Sequence, residues 1–113
     1  MSSPAQPSDP QAISLHDLLT PNARTIASRV LAKTAGGSVT LFSFAAGEGL
    51  DEHSSPHEAL VVVLDGRMAI SVAGRTADAG SGTLVTLPAH VPHAVAATDA
   101  SLMLLVMLKS APA

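Results

Sequence analysis

Cysteine, tryptophan and tyrosine are absent from this 113-residue chain, and phenylalanine occurs only twice. Without cysteine there is no disulfide framework, no thiolate metal site and no cysteine nucleophile. Two phenylalanines leave no platform for stacking nucleobases, and the lack of Trp and Tyr disfavours a sugar ligand. Six Lys and Arg against nine Asp and Glu give a net charge of −3, so no basic stripe is available to read phosphates and no nucleic-acid partner is expected. Long apolar runs are missing too. The longest, Leu102 to Leu108, is far short of the roughly 20 residues that span a bilayer. The opening MSSPAQPSDPQ has neither a basic n-region nor an apolar h-region and does not read as a signal peptide; a cytoplasmic protein without a membrane partner is expected.

What is there is a chain of one domain's length with five histidines, four of them between positions 53 and 93. Residues 1–12 are Pro-rich and polar, with little to bury, and read as a disordered tail ahead of a single domain over 13–110. Leu15, Leu18 and Leu19 at helical spacing, with Ser14 as N-cap and Pro21 beyond, predict a short helix over Ile13 to Leu19. From Arg24 the pattern changes to short strands and turns. Strands are expected at Arg24 to Lys33, Val39 to Ala45, Leu60 to Leu64, Met68 to Val72, Thr83 to Leu87, His93 to Ala97 and Leu102 to Leu108. Gly36-Gly37 and Asp65-Gly66 read as hairpin turns, Gly74 and Ala79 to Gly82 as further turns, and residues 47–58 as a polar loop. About eight strands at intervals near ten residues describe an all-β, antiparallel sandwich or barrel.

Two strands are apolar on both faces: Leu60 to Leu64, and Leu102 to Leu108. An antiparallel strand with one wet face alternates with polar residues, and these do not. A second cover is needed, and a homodimer is expected to supply it.

Two segments carry the candidate chemistry. The first runs from Gly47 through His53, His57 and Glu58 to Gly66; the second is Gly82, Pro88, His90, Pro92 and His93. In these anchors the chain resembles a small single-domain protein of the cupin superfamily. That superfamily carries the motifs G-x5-H-x-H-x3,4-E-x6-G and G-x5-P-x-G-x2-H-x3-N on a jelly-roll, double-stranded β-helix barrel of RmlC-like type. Gly47, His53 and Gly66 match the first motif and Gly82, Pro88 and His93 the second, and the likeness extends over residues 37–108. The second histidine position falls on Ser55 and the glutamate position on Ala59. His90 stands where glycine is usual, and Ala97 where asparagine is.

The resemblance implies a site between the two motifs, commonly holding a metal. Strand parity puts His57 on the inward side with Ala59, Val61 and Val63, and Glu58 on the other. The candidate metal set is His53, His57 and His93, with Glu58 a candidate base or ligand if the loop bends at Pro56. Three imidazoles with open positions suit Zn, Fe, Ni, Cu or Mn. The pocket is expected to be lined by Ala59, Val61, Val63, Val95 and Ala97, all small and aliphatic, and to take a small apolar molecule with oxygen groups. Two functions follow as expectations. One is a metal-dependent oxygenase or isomerase; the other, favoured by Ser55 and Ala59, is a non-catalytic ligand-binding or sensor barrel without metal. His16, on the helix, and His90, between two prolines, read as incidental.

Overall fold

The computed structural model describes residues 9–19 and 25–109. Its elements are α1 (Leu15–Leu18), β1 (Ile26–Thr34), β2 (Gly37–Phe44), β3 (Gly49–His53), β4 (Glu58–Asp65), β5 (Arg67–Val72), β6 (Arg75–Gly80), β7 (Thr83–Leu87), β8 (His93–Ala97) and β9 (Ser101–Leu108). They form a five-stranded sheet ordered β1-β2-β9-β4-β7 and a four-stranded sheet ordered β3-β8-β5-β6. Every ladder is antiparallel. After β2 the chain passes back and forth between the sheets, as in a jelly roll, so the all-β antiparallel expectation holds.

The core lies between the two sheets. Alternation along β4 sends Ala59, Val61 and Val63 inward, all at most 4% exposed, and β8 sends in Val95 and Ala97 from the facing sheet. Met68, Ile70, Leu87 and Met103 fill the space between. Both aromatic rings of the chain belong here: Phe42 and Phe44, two apart on one face of β2, stack with centroids 5.8 Å apart.

Several local expectations are corrected. Asp65-Gly66 does not close a hairpin, because β4 pairs with β7 and β9 while β5 pairs with β6 and β8. The dipeptide is a corner at which the chain changes sheets. Gly66 has φ +91°, and a Cβ there would run into the Ser101 hydroxyl and the Ala100 carbonyl, so only glycine fits. Ser101 Oγ, fully buried, accepts the Arg67 N–H at 3.1 Å and locks the corner. The two-residue hairpin is instead at Ala73-Gly74, where both residues have positive φ and Val72 pairs with Arg75. The turn into β2 is Ala35-Gly36, one residue earlier than read. Residues 47–58 are not all loop, since they contain β3. The helix is one turn, shorter than Ile13 to Leu19, and Ser14 at its N-cap makes no side-chain cap bond. The expected tail lies mostly outside the described residues, as do Pro21, Arg24 and the domain limit at 110.

Candidate functional site

β3 and β8 lie side by side, and their register sets His53 directly opposite His93. Cross-strand neighbours on one face have Cβ atoms about 5 Å apart, so two histidines distant in sequence meet. Their ring centroids are 4.4 Å apart at 71°, and Nε2 faces Nε2 at 3.2 Å. His93 is 6% exposed, whereas His53 is open to solvent.

The outer ring nitrogens fix the tautomers. His53 Nδ1 lies 2.9 Å from the Asp51 carbonyl oxygen, and His93 Nδ1 lies 3.2 Å from that of Val91. A carbonyl oxygen only accepts, so each Nδ1 carries its hydrogen and donates it. In the neutral rings both Nε2 atoms then point lone pairs at each other. Two lone pairs at this distance repel, so the pair is set to accept from a positive or hydrogen-donating partner. Burial pushes the His93 imidazole below its usual 6.5, the neighbouring His53 acts in the same direction, and the Val91 carbonyl opposes both.

Behind the pair is a cavity of about 50 Å³ lined by Leu50, Val61, Leu87, Val95, Met103 and Leu105 together with the two histidines. The imidazoles are its only polar side chains. Of the residues read from sequence as pocket lining, Val61 and Val95 line it, while Ala59, Val63 and Ala97 pack in the adjoining core. Leu50, Leu87, Met103 and Leu105 were not anticipated as lining. Each is the cross-strand partner of an inward residue that was: Val95, Ala59, Val63 and Val61 respectively. Alternation identifies the inward face, and only the register adds the neighbours on it.

His57 and Glu58 stand apart from the pair. His57 is half-buried; its N–H donates to Ser55 Oγ at 3.2 Å, and its Nδ1 is sealed from solvent without a hydrogen-bond partner. It does not line the cavity. Glu58 is exposed at the start of β4, opposite Leu108, on the face away from Ala59. Among the described residues no three His, Cys, Asp or Glu side chains gather where they could hold a metal ion. The donor set of the implied cupin centre is thus two short: Ser55 Oγ is engaged by the His57 amide, and Ala59 has no donor atom. These residues do not fit a resident ion of the family's kind.

His90 has a structural role. Its φ is +65°, the left-handed region that explains why the second motif has glycine there. Its N–H donates to the Ser55 carbonyl at 2.7 Å, tying the segment after β3 to the segment before β8. His16 lies 3.5 Å from Asp65, at the end of β4 and outside the cavity lining.

Comparison with known proteins agrees with this architecture. A conserved protein of unknown function from Streptococcus pyogenes superposes with a TM-score of 0.86 at 29% identity, covering 99% of this chain and 98% of that one. A cupin superfamily protein from Desulfitobacterium hafniense gives 0.84 at 26% identity, covering 90% and 94%. A cupin 2 conserved barrel domain protein from Leptotrichia buccalis is 37% identical with a TM-score of 0.81; the match covers 86% of this chain and 47% of that protein. No match is found among functionally curated proteins. The family model described as a cupin domain matches residues 40–108, and with the histidine-bearing strands in register the chain belongs to the cupin family.

Proposed function

We propose that this cupin is a binding protein for a small, largely apolar molecule, gripped through a hydrogen-bond donor by the His53–His93 pair. The observation that carries this reading is the pair of converging Nε2 atoms, 3.2 Å apart, at the opening of an otherwise aliphatic cavity. With both Nδ1 hydrogens committed to backbone carbonyls, the site offers acceptors only. It therefore selects a hydroxyl, a phenol or an un-ionised acid over an ether or a ketone of the same shape. The cavity walls supply dispersion and desolvation for a short alkyl group, and the exposed His53 leaves the rest of the ligand, an aromatic ring included, at the mouth. The size is restrictive: about 50 Å³ holds a few water molecules, far below a drug-sized site.

A metal-dependent oxygenase or isomerase needs an ion held by a fuller ligand set, and the two donors present do not favour that reading. Calorimetry with phenol and anisole on EDTA-treated protein tests the proposal. Phenol is expected to bind, and anisole, which lacks the O–H, about fivefold to tenfold more weakly, as one lost hydrogen bond implies. Replacing either histidine by Ala is expected to remove the preference. Equal affinities, or binding that requires added Zn²⁺ or Ni²⁺, would refute it.

A further inference from the structure

The cavity behind the histidine pair holds about 50 Å³, so the body of a ligand gripped by the pair lies outside it. What stands outside is set by β3. Leu50 pairs with Val95 and His53 with His93, so three steps along β3 match two along β8. The extra residue makes a β-bulge, in which Asp51 and Glu52 together oppose Ala94. Leu50 and His53 line the cavity, while both carboxylate-bearing residues line a groove of about 570 Å³ on the far side of the sheet. Leu50 and Val95 border both hollows. Because β3 is the edge of its sheet, no further strand separates the exposed His53 from that groove. The crossing is short. The Asp51 carbonyl oxygen is 2.9 Å from His53 Nδ1, and one strand is about 5 Å broad.

The groove carries charge of one sign. Glu48, Asp51 and Glu52 line it, and no lysine or arginine lines either the groove or the cavity. None of the three is held in an ion pair among the described residues, where the acids so engaged are Asp65 and Asp78. The floor is Ala69, Ala94 and Ala96, beside the hydroxyls of Ser71 and Thr76, which bond to each other at 3.0 Å. Such a floor leaves room for methylene groups, and the acidic wall suits the positive end of a short chain. His93 marks a ligand independently: it is 6% exposed, and its Nε2, turned to the cavity, meets only the acceptor of His53.

We infer that the ligand is a phenol with an aliphatic ammonium arm two or three carbons long. Its hydroxyl donates to the Nε2 pair, and its arm crosses the edge of β3 to bring the ammonium among Asp51, Glu52 and Glu48. The inference rests on the hydroxyl-binding reading of the pair and adds what the rest of the ligand is. An anionic arm on the same phenol meets charge of its own sign and is rejected.

Calorimetry at pH 7.5 on EDTA-treated protein, with tyramine, 4-ethylphenol and 3-(4-hydroxyphenyl)propionate, compares a positive, a neutral and a negative arm. At low salt tyramine is expected to bind about threefold to fivefold more tightly than 4-ethylphenol, as pairing between exposed charges gives, and the propionate more weakly than either. At about 0.5 M salt the three are expected to converge to within about twofold. Asp51→Asn combined with Glu52→Gln is expected to bring the tyramine-to-4-ethylphenol ratio near one. In the wild type, tyramine but not 4-ethylphenol is expected to move the amide resonances of Ala69 and Ala94. 4-Ethylphenol bound as tightly as tyramine overturns the cationic arm and leaves the hydroxyl-binding reading standing, whereas no binding of either refutes both. A ratio that survives the double substitution, or shifts confined to residues away from the groove, places the ammonium elsewhere and also overturns the inference.

Discussion

Val61 is fully buried on the inward face of β4 and forms the cavity wall behind the histidine pair, so Val61→Ala probes both packing and ligand size. The substitution removes two methyl groups from a fully buried site. At about 0.8 kcal/mol per buried carbon the transfer loss is about 1.6 kcal/mol. The void adds to this at about 24 cal/mol per Å³, or roughly 1 kcal/mol for the space of two methyls. A loss of about 2.5 kcal/mol is expected, because the β4 backbone is held by ladders on both sides, to β7 and β9, and cannot collapse inward. That is within the stability of an ordinary domain, so the variant stays folded. Urea denaturation followed by far-UV circular dichroism reads the loss, since the chain has no tryptophan to report by fluorescence. The same variant should accept a larger ligand, with ortho-cresol gaining on phenol relative to wild type. A destabilisation under about 0.5 kcal/mol would place Val61 outside a packed wall, and an unchanged cresol-to-phenol ratio would mean that this cavity does not set ligand size.

Three further outcomes are expected. His90→Gly relieves the left-handed strain and should raise stability by about 0.5–1 kcal/mol, seen as a melting point a few degrees higher. Because the folded His93 binds a proton less readily than the unfolded one, its contribution to stability is present above pH 6.5 and is lost as pH falls below that value toward the lowered folded pKa. Wild type should accordingly lose more stability than His93→Gln between pH 7.5 and 5, and parallel melting curves would contradict this. The double substitution Ser55→His with Ala59→Glu restores the two missing motif ligands and should bind close to one Ni²⁺ or Mn²⁺ per chain by elemental analysis. Wild type, treated identically, should hold far less; a full equivalent in wild type would show that the His pair alone retains the ion.

The features that were legible in the sequence are those that depend on local chemistry. Glycines and histidines at fixed spacing identified the two motifs, and continuous apolar runs located β4 and β9. β3 has the composition of a polar loop because it is an edge strand, paired on one side only and with an irregular register. Its residues past Leu50 are exposed and carry no alternation to detect. β6, the other edge of the same sheet, buries only Ala79 and gave no strand signal of its own between two turns. Asp65-Gly66 has the composition of a hairpin, but the choice between hairpin and sheet-crossing corner rests on the Ser101 contact, thirty-four residues away from Arg67. That His53 and His93 share one site is what the resemblance to the two motifs implies, whereas their tautomers depend on backbone carbonyls that only the folded chain supplies.

The central claim is that His53 and His93 present two unprotonated Nε2 atoms to a ligand that donates a hydrogen. Long-range ¹⁵N–¹H correlation of the imidazoles in EDTA-treated protein at pH 8 tests it most directly. Both rings are expected to show a protonated Nδ1 and a bare Nε2, and phenol is expected to move the two Nε2 resonances while leaving both Nδ1 resonances in place. A protonated Nε2 on either ring, or a response to phenol confined to other residues, would contradict it.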